Sequence, residues 1–493
     1  MLVFTCTIDD RATSRFATLW PQALFAVTVA GLIAAHMAGI ARFAYAGGAL
    51  AVGLYLARLN PPAYVGFVLW LWLITAFVRR ITDLSAGWQE PSVVLLTPYL
   101  VTLLSVVPFV ERMIRRQPTV AYRPAGLAMF GLAAAGTLTG LPLGFMSGPQ
   151  GALLEALNYF TPLALGLYIA MANDWTAEIE ERVVATFRRA ALAVGLYGIY
   201  QFTAAPVWDT AWMVNSEMVT IGRPEPFGIR VFSTMHSPGV LGVFIAFALI
   251  LWVAHPTVAG IPAAAAASIT LLLSQVRSAW LAFIIGAALV VTTLRPAQQL
   301  KAGLLALLAL AMMGTLLVTP EMSEMVDQRM KTFEQIDEDT SGLARVMGHE
   351  VALELVTRRP LGMGIGQTDA TIESYVSMRD STIIAGLVQF GLIGALLYFG
   401  GLAIVLVHVW RYYRRAETTH GAALGCAGLA LLAISSLGVM SAGPMGICFW
   451  LVAGLAVADR HRARLRAAEA MAEAMAVETD ASTYPHAHEV VHA

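Results

Sequence analysis

The chain has 493 residues, of which 58% are apolar and only 13% charged, against roughly a quarter charged in ordinary soluble domains. This balance excludes a water-soluble domain and makes lipid the expected solvent. The net charge of −1 is spread over many connections, which excludes the gathered basic patch of a nucleic-acid binder.

A helix needs about 20 residues to cross the hydrocarbon layer. Apolar runs of that order recur along the chain, at about 22–40, 44–57, 62–78, 91–110, 124–140, 151–171 and 190–205, then at 238–254, 257–273, 278–294, 302–319, 382–408, 421–439 and 443–458. They predict an all-α fold: a polytopic transmembrane helix bundle of about 12–14 spans, in which the 14-residue second run is the weakest. The chain divides into N-terminal spans (1–205), a first outer loop (206–237), central spans (238–319), a large helical outer loop (320–381), C-terminal spans (382–458) and a tail (459–493).

Lys and Arg collect on the cytoplasmic side of membrane proteins. With the N-terminus inside, Arg112, Arg115, Arg116 and Arg123 fall inside, as do Arg182, Arg188 and Arg189, and later Arg411, Arg414 and Arg415. Arg79 and Arg80 fall outside and break the pattern. The first apolar run lacks a small-residue cleavage site and reads as a retained helix. Cys6, Cys426 and Cys448 form no C-x-x-C pair and read as small apolar packing residues. The tail is Ala-rich and helical in propensity through Glu478. Beyond it, His486, His488 and His492 belong to a polar, solvated segment.

Two outer connections are long, 206–237 and 320–381. Arg277, in SQVRSAWL, stands on the same side at the lip of a span. Charges at membrane depth are costly and tend to serve a task, the plain alternative being an arginine that snorkels to head groups. In the long loop, EMSEMVDQRMKTFEQIDED predicts a short acidic helix, and DTSGLARVMGHEVALELVTRRP predicts a second that Pro360 ends. Leu343, Met347, Val351 and Leu355 form an apolar stripe on the second, with Arg345 and His349 one turn apart and roughly opposite. Glu354 and Arg358 have the spacing of a helix-surface ion pair. Next comes RRPLGMGIGQ, with glycines at 362, 364 and 366. The G-x-G-x-G spacing, after a helix where a dinucleotide fold needs a strand, excludes that fold.

Three pieces thus occur in one order: SQVRSAWL, then SGLARVMGHEVALELVTRRPLGMGIGQ, then RDSTIIAGLVQFGLIG. Together they resemble the O-antigen ligase and polysaccharide polymerase family. That family carries an S-R-like motif, an Arg-containing helix ending in P-x-G-x-G, and a final H-[NSQ]-x9-G-x-x-G. The last spacing is met, since Asp380 and Ser381 are followed by nine residues and then by Gly391 and Gly394. Asp380 stands where ligases place a His that activates the acceptor hydroxyl, and this departure favours a polymerase over a ligase.

The resemblance implies a glycan donor on a polyprenyl diphosphate, used at the outer face of a bacterial inner membrane. Arg277 and Arg345 would clamp the diphosphate, because a planar guanidinium binds phosphate oxygens bidentately and stays charged. Arg230 and Arg223 would add to the same field. Asp380 would act as general base, with His349 and His236 as rivals and helix N-capping as its plainer role. Gly364 and Gly366 would form a tight return beside the site, either lining the cleft with amides or packing. No acidic or histidine cluster has metal-ligand spacing, so no cofactor and a metal-independent reaction are expected. A flippase and a chain-length regulator are the implied partners. A ligase, and from another class a lipid-linked oligosaccharide transporter or flippase, are the alternatives. The transporter reading is disfavoured by charges that sit in outer loops and by the lack of an internal repeat.

Overall fold

Helix is the only extended regular structure in the computed structural model, which describes residues 11–114, 124–216, 218–316, 340–374 and 380–483. A single antiparallel bridge joins Gly222 to Ile229. The N-terminal helices are α1 (Arg11–Ala34), α2 (Ala38–Leu59), α3 (Pro61–Ala86), α4 (Val93–Leu103), α5 (Val106–Ile114), α6 (Pro124–Ser147), α7 (Pro149–Met171) and α8 (Thr176–Ala204). The short α9 (Val207–Asn215) lies in the first loop. The central helices are α10 (Pro238–Ala254), α11 (Ile261–Leu273), α12 (Arg277–Thr293) and α13 (Pro296–Leu316). After them come α14 (Thr340–Arg358), α15 (Ala370–Glu373), α16 (Thr382–Arg415), α17 (Thr419–Ala433) and α18 (Gly443–Thr483). The apolar runs read from the sequence coincide largely with helices, the weak second run lying within the 22 residues of α2, while 22–40 crosses the break between α1 and α2 and 91–110 is divided between α4 and α5. Among the described residues eight helical segments suffice by length and composition to cross a membrane, and four further apolar helices are shorter. The chain is a multi-pass membrane protein.

Several boundaries differ from expectation. α8 starts at Thr176, fourteen residues before the apolar run, because buried Glu180 accepts from Tyr412 Oη at 2.6 Å and from Thr418. α18 continues as one helix through the Ala-rich tail to Thr483. Cys426 and Cys448 are buried and free. The expected acidic helix of the long loop, Cys6 and the tail histidines lie outside the described residues.

The two ends of the bundle have different chemistry. One end, here the basic end, holds the Arg58–Glu111 pair at 2.9 Å and Glu417 bound by Arg462 and Arg466 at 3.0 and 2.8 Å. The other, the loop end, carries residues 206–237 and α14. Arg79 and Arg80 stand at the loop end and break the charge rule because both are neutralised inside the protein. Arg79 Nε meets Asp83 at 3.0 Å, and Asp83 also takes Arg42 at 2.6 Å. Arg80 Nε lies 2.9 Å from Asp209 Oδ1, with both side chains fully buried. Its other nitrogens donate to the carbonyls of Met235, at 2.9 Å, and Ser233. Asp209 accepts from Tyr197 Oη at 2.7 Å and Gln201 Nε2 at 2.8 Å, and Gln201 Oε1 accepts from the amides of Phe232 and Ser233. This network fastens residues 232–235 of the first loop onto α3, α8 and α9.

Helix length shapes the loop end. At ~1.5 Å per residue, the 13 residues of α11 span ~20 Å, the 15 of α17 ~22 Å and the 17 of α10 and of α12 ~26 Å, against ~30 Å of hydrocarbon. Their basic ends are tied together, His255 standing 4.5 Å from His420 between ring centroids and Thr292 Oγ1 2.6 Å from Tyr413 Oη. The shortfall therefore falls at the loop end. Tyr398 Oη donates to Ser441 Oγ at 2.7 Å, and Gly136 of α6 packs on Tyr398. The turn between α17 and α18 is thus level with residue 136, and α6 rises ~16 Å above it before ending at Ser147. The result is a recess walled by the α6–α7 hairpin, with the turn at 438–442 in its floor.

Removing one partner of a buried ion pair leaves an uncompensated charge, at a cost of about 3–5 kcal/mol, whereas replacing both by apolar groups is often neutral. Arg80→Met alone should lower thermal stability in detergent sharply, and Arg80→Met with Asp209→Leu should recover most of it. Equal losses in the single and double variants would contradict this account of the pair.

Candidate functional site

Arg277 opens α12 at the edge of the floor. α11 ends in a tight turn at Ser274 and Gln275, the latter at φ 55°, which leaves carbonyls without helical partners. Arg230 supplies them: Nε donates to Ser274 O at 2.8 Å, Nη2 to Gln275 O at 3.2 Å and Nη1 to Thr220 O at 3.3 Å. Its guanidinium braces the turn that presents Arg277. Gly286 of α12 packs on Ala430 of α17, and the two helices run antiparallel. Nine residues separate Gly286 from Arg277, whereas α17 ends three residues past Ala430, so half-buried Arg277 stands beyond that helix end, on the side of the 438–442 turn.

α16 begins at the same level. The expected single span over 382–408 is two arms, because Gly391 takes φ 67°, ψ −172° and breaks the helix. Leu392 N donates to Pro360 O at 2.8 Å instead of to its own turn. The first arm, 382–390, folds back on the second, with Gly386 against the Phe399 ring. Thr382 Oγ1 donates to Gly438 O at 2.9 Å and accepts from Met440 N at 3.2 Å, so the helix start reaches the floor turn. Non-helical backbone at membrane depth is tolerated where protein buries it or where it lines a cavity.

The cap of α16 is Ser381, whose Oγ accepts from the amides of Ile383 and Ile384 at 3.2 and 3.4 Å. This corrects the plainer reading of Asp380. Asp380 lies half-buried in the preceding turn, and capping falls to its neighbour. His349 Nε2 stands 3.1 Å from Ser381 Oγ. Ser381 Oγ thus accepts two amide protons and lies within hydrogen-bond distance of the His349 ring. His349 is thereby held beside Asp380.

α14 packs on the first arm of α16 through Ala352 and Val356, both buried, with Val351 and Leu355 at the margin. The expected stripe is rotated, since Met347 is exposed and His349 shares the buried face. Buried Ala352, a small residue, allows the close approach on this face. Position 345 lies in α14, one turn before His349, but its side chain is outside the described residues. Glu354 and Arg358 form their ion pair on the exposed side.

The remaining candidates are placed apart. Arg223 is exposed and paired with Glu225 at 3.1 Å on the loop tip. His236 is half-buried just before Ser237, the cap of α10. Gly364 and Gly366 take φ 97° and 76° and lie on the wall. A Cβ on Gly364 would stand 2.3 Å from Gly144 N, and one on Gly366 2.6 Å from the Gly151 backbone. The Gly366 amide donates to Gln389 Oε1 at 3.2 Å and the Ile365 amide to Gly140 O at 2.9 Å. Packing, not an open row of amides, explains these glycines. Sequence reasoning passed over Gln389, Tyr398, Ser441 and Glu155, whose signal was a polar residue inside an apolar run. A cavity of about 410 Å³ lined by Arg58, Glu111 and Trp175 lies at the basic end, away from these residues.

Residues 262–399 match the family model described as O-antigen ligase. The matched segment runs from α11 into the second arm of α16 and contains Arg277, Arg345, His349, Gly364, Gly366 and Asp380. No curated protein and no solved structure matches the chain.

Loss of an N-cap costs about 0.5–2 kcal/mol, typically ~1. Ser381→Ala should therefore lower stability by that order, and Asp380→Ala, which removes any capping oxygen at 380, should lower it less in the same thermal unfolding assay. Equal destabilisation by both would return the cap to Asp380.

Proposed function

We propose that the chain, whose residues 262–399 match the O-antigen ligase family model, polymerises polyprenyl-diphosphate-linked oligosaccharide repeat units into exopolysaccharide or O-antigen. The observation that carries the reading is the recessed floor, where Thr382, at the helix start just after Asp380 and Ser381, bonds to the turn at 438–442, with Arg277 half-buried at the start of α12. A diphosphate anchored by a lipid tail lies near the membrane boundary, and a recess below the wall receives it without drawing the tail into water.

The reaction needs no ATP, since the sugar–phosphate bond of the donor is already activated. The protein has to stabilise charge as the diphosphate leaves and to take a proton from the acceptor hydroxyl. Arg277 and Arg345 would hold the diphosphate. Arg230 acts one step removed, since its guanidinium braces the turn before Arg277. Asp380 would be the base of a metal-independent, inverting displacement, with capping left to Ser381. His349, held through Ser381, is the neighbouring acid–base group and the rival base. A flippase and a chain-length regulator are the partners this activity would require. A ligase that transfers to lipid A core is the second reading, and the carboxylate at position 380 is the feature that disfavours it.

Thr220 is exposed in the first loop. With Cys6 replaced, Thr220→Cys should react with an impermeant thiol reagent in intact cells or spheroplasts. Labelling only after permeabilisation would put the floor on the cytoplasmic side and end the proposal.

The activity test supplies purified enzyme with lipid-linked repeats, no lipid A core acceptor, and follows chain growth. Arg277→Ala and Asp380→Asn should each reduce extension by about 10²–10⁴-fold, the usual cost of losing a positioned base or charge partner. Arg277→Lys should restore part of it, keeping charge without the bidentate fork. Unimpaired extension by Asp380→Asn would move the base to His349, and no extension by wild type would sink the polymerase.

A further inference from the structure

Glu155 lies on α7, half-buried, beneath the glycine turn. Gly366 rests on Gly151, one helical turn above it on the same face. Its depth follows from the parallel packing of α7 on α18. Asn158 meets Gly443, Pro162 meets Gly446 and Gly166 meets Gly454, so Glu155 is level with Met440 and Ser441. It therefore stands on the recessed floor, on the α7 side of the turn at 438–442, whereas Arg277 opens α12, which packs on α17.

Glu155 differs from three other acidic residues near membrane depth, though buried Glu180, met by Tyr412 and Thr418, likewise lacks a cation among the described residues. Asp83 is met by Arg42 and Arg79, Asp209 by Arg80 and Glu111 by Arg58. Glu155 has no cationic partner among the described residues. Its Oε2 accepts from Asn158 Nδ2 at 2.8 Å, and Asn158 Oδ1 accepts from Tyr99 Oη at 2.7 Å. Tyr99 is itself set edge-on against Trp72, with ring centroids 4.7 Å apart. Among the described residues the carboxylate is thus oriented but not neutralised. An ionisable group kept at this depth without a counter-charge is costly, and the cost is offset when a ligand supplies hydrogen bonds.

We propose that Glu155, oriented by Asn158 and Tyr99, is a saccharide-binding subsite that accepts hydroxyl protons from a sugar lying on the floor. This rests on the glycan-transfer reading and deepens it. A carboxylate offers about four lone-pair sites and donates nothing, so it suits adjacent sugar hydroxyls and repels phosphate. The second Nδ2 hydrogen of Asn158 provides a donor beside it for a sugar oxygen. The floor is then divided by charge: the diphosphate goes to the Arg277 side and the neutral glycan to the Glu155 side. The sugar bound could belong to the donor glycan or to the acceptor glycan, which share this chemistry.

The test uses the full-length protein in nanodiscs with two probes: lipid-linked oligosaccharide extracted from native membranes, and the same glycan released from its lipid. Glu155→Gln keeps the shape and the bond from Asn158 but loses the charge. Hydrogen bonds to charged groups contribute about 1.5–3 kcal/mol, so KM for one glycan substrate should rise about 10- to 100-fold with little change in kcat. A rise for the released glycan assigns the subsite to the acceptor, and a rise for the lipid-linked one assigns it to the donor. Tyr99→Phe cuts the outer tie between α4 and α7 but leaves the carboxylate and Asn158 in place, so its KM should rise less than that of Glu155→Gln. Unchanged KM in Glu155→Gln, or equal losses of stability and activity in Glu155→Gln and Tyr99→Phe, would reduce the trio to a helix tie and overturn the proposal. If wild type transfers nothing, the polymerase reading fails by itself. Equilibrium binding of the released glycan then decides the subsite: binding lost in Glu155→Gln supports it, and equal binding overturns it.

Discussion

A helix advances about 1.5 Å per residue, and the hydrocarbon layer it must cross is about 30 Å thick. α10, α11, α12 and α17, with 13 to 17 residues each, cannot fill that depth, and α18 begins as low as α17 ends. Because the short helices share a basic end, the deficit is concentrated opposite, as a recess and not as scattered gaps. The longer α6, α7 and α8 then stand as walls. The placement of Arg277, Asp380, Ser381 and Glu155 depends on this mismatch between helix length and membrane thickness.

Buried charge keeps the recess in shape. Arg80 and Asp209 are costly to bury singly, but paired, and joined to Gln201 and to the loop carbonyls, they hold residues 232–235 to three helices. Arg230 performs a similar task at the α11–α12 turn by binding carbonyls that the helix end leaves open. Arginines that look equivalent in the sequence therefore have different roles. Some are held inside the protein as fasteners, and Arg277 stands half-buried at the floor.

The second device is the meeting of two glycine-bearing segments. Gly362 and Gly391 both take positive φ, and a Cβ on Gly362 would lie 2.5 Å from Gly391 N. The loop returning from α14 thus seats against the break in α16. Pro360 O takes the amide that the broken helix gives up. Only residues without a Cβ allow the backbones this close. The break turns the first arm of α16 back toward the floor, which carries Asp380 and Ser381 away from the rim.

The sequence by itself determined the all-helical membrane architecture, because an apolar run of span length has few other stable states in lipid. It also determined the order of the three motifs, the glycines at 362, 364 and 366, and the Glu354–Arg358 pair, all of which are local in spacing. It could not reveal that Arg80 meets Asp209, that Arg230 is a brace, or that Ser381 and not Asp380 caps α16. Each of those depends on which backbone groups another element leaves open. The stripe on α14 was misplaced for the same reason: periodicity offers several apolar faces, and the partner arm of α16 selects the one that carries Ala352 and Val356. Glu155 was hidden within an apolar run, where one carboxylate carries no spacing signal. Its level with the floor exists only through the parallel packing of α7 on α18, a relation between residues nearly three hundred positions apart.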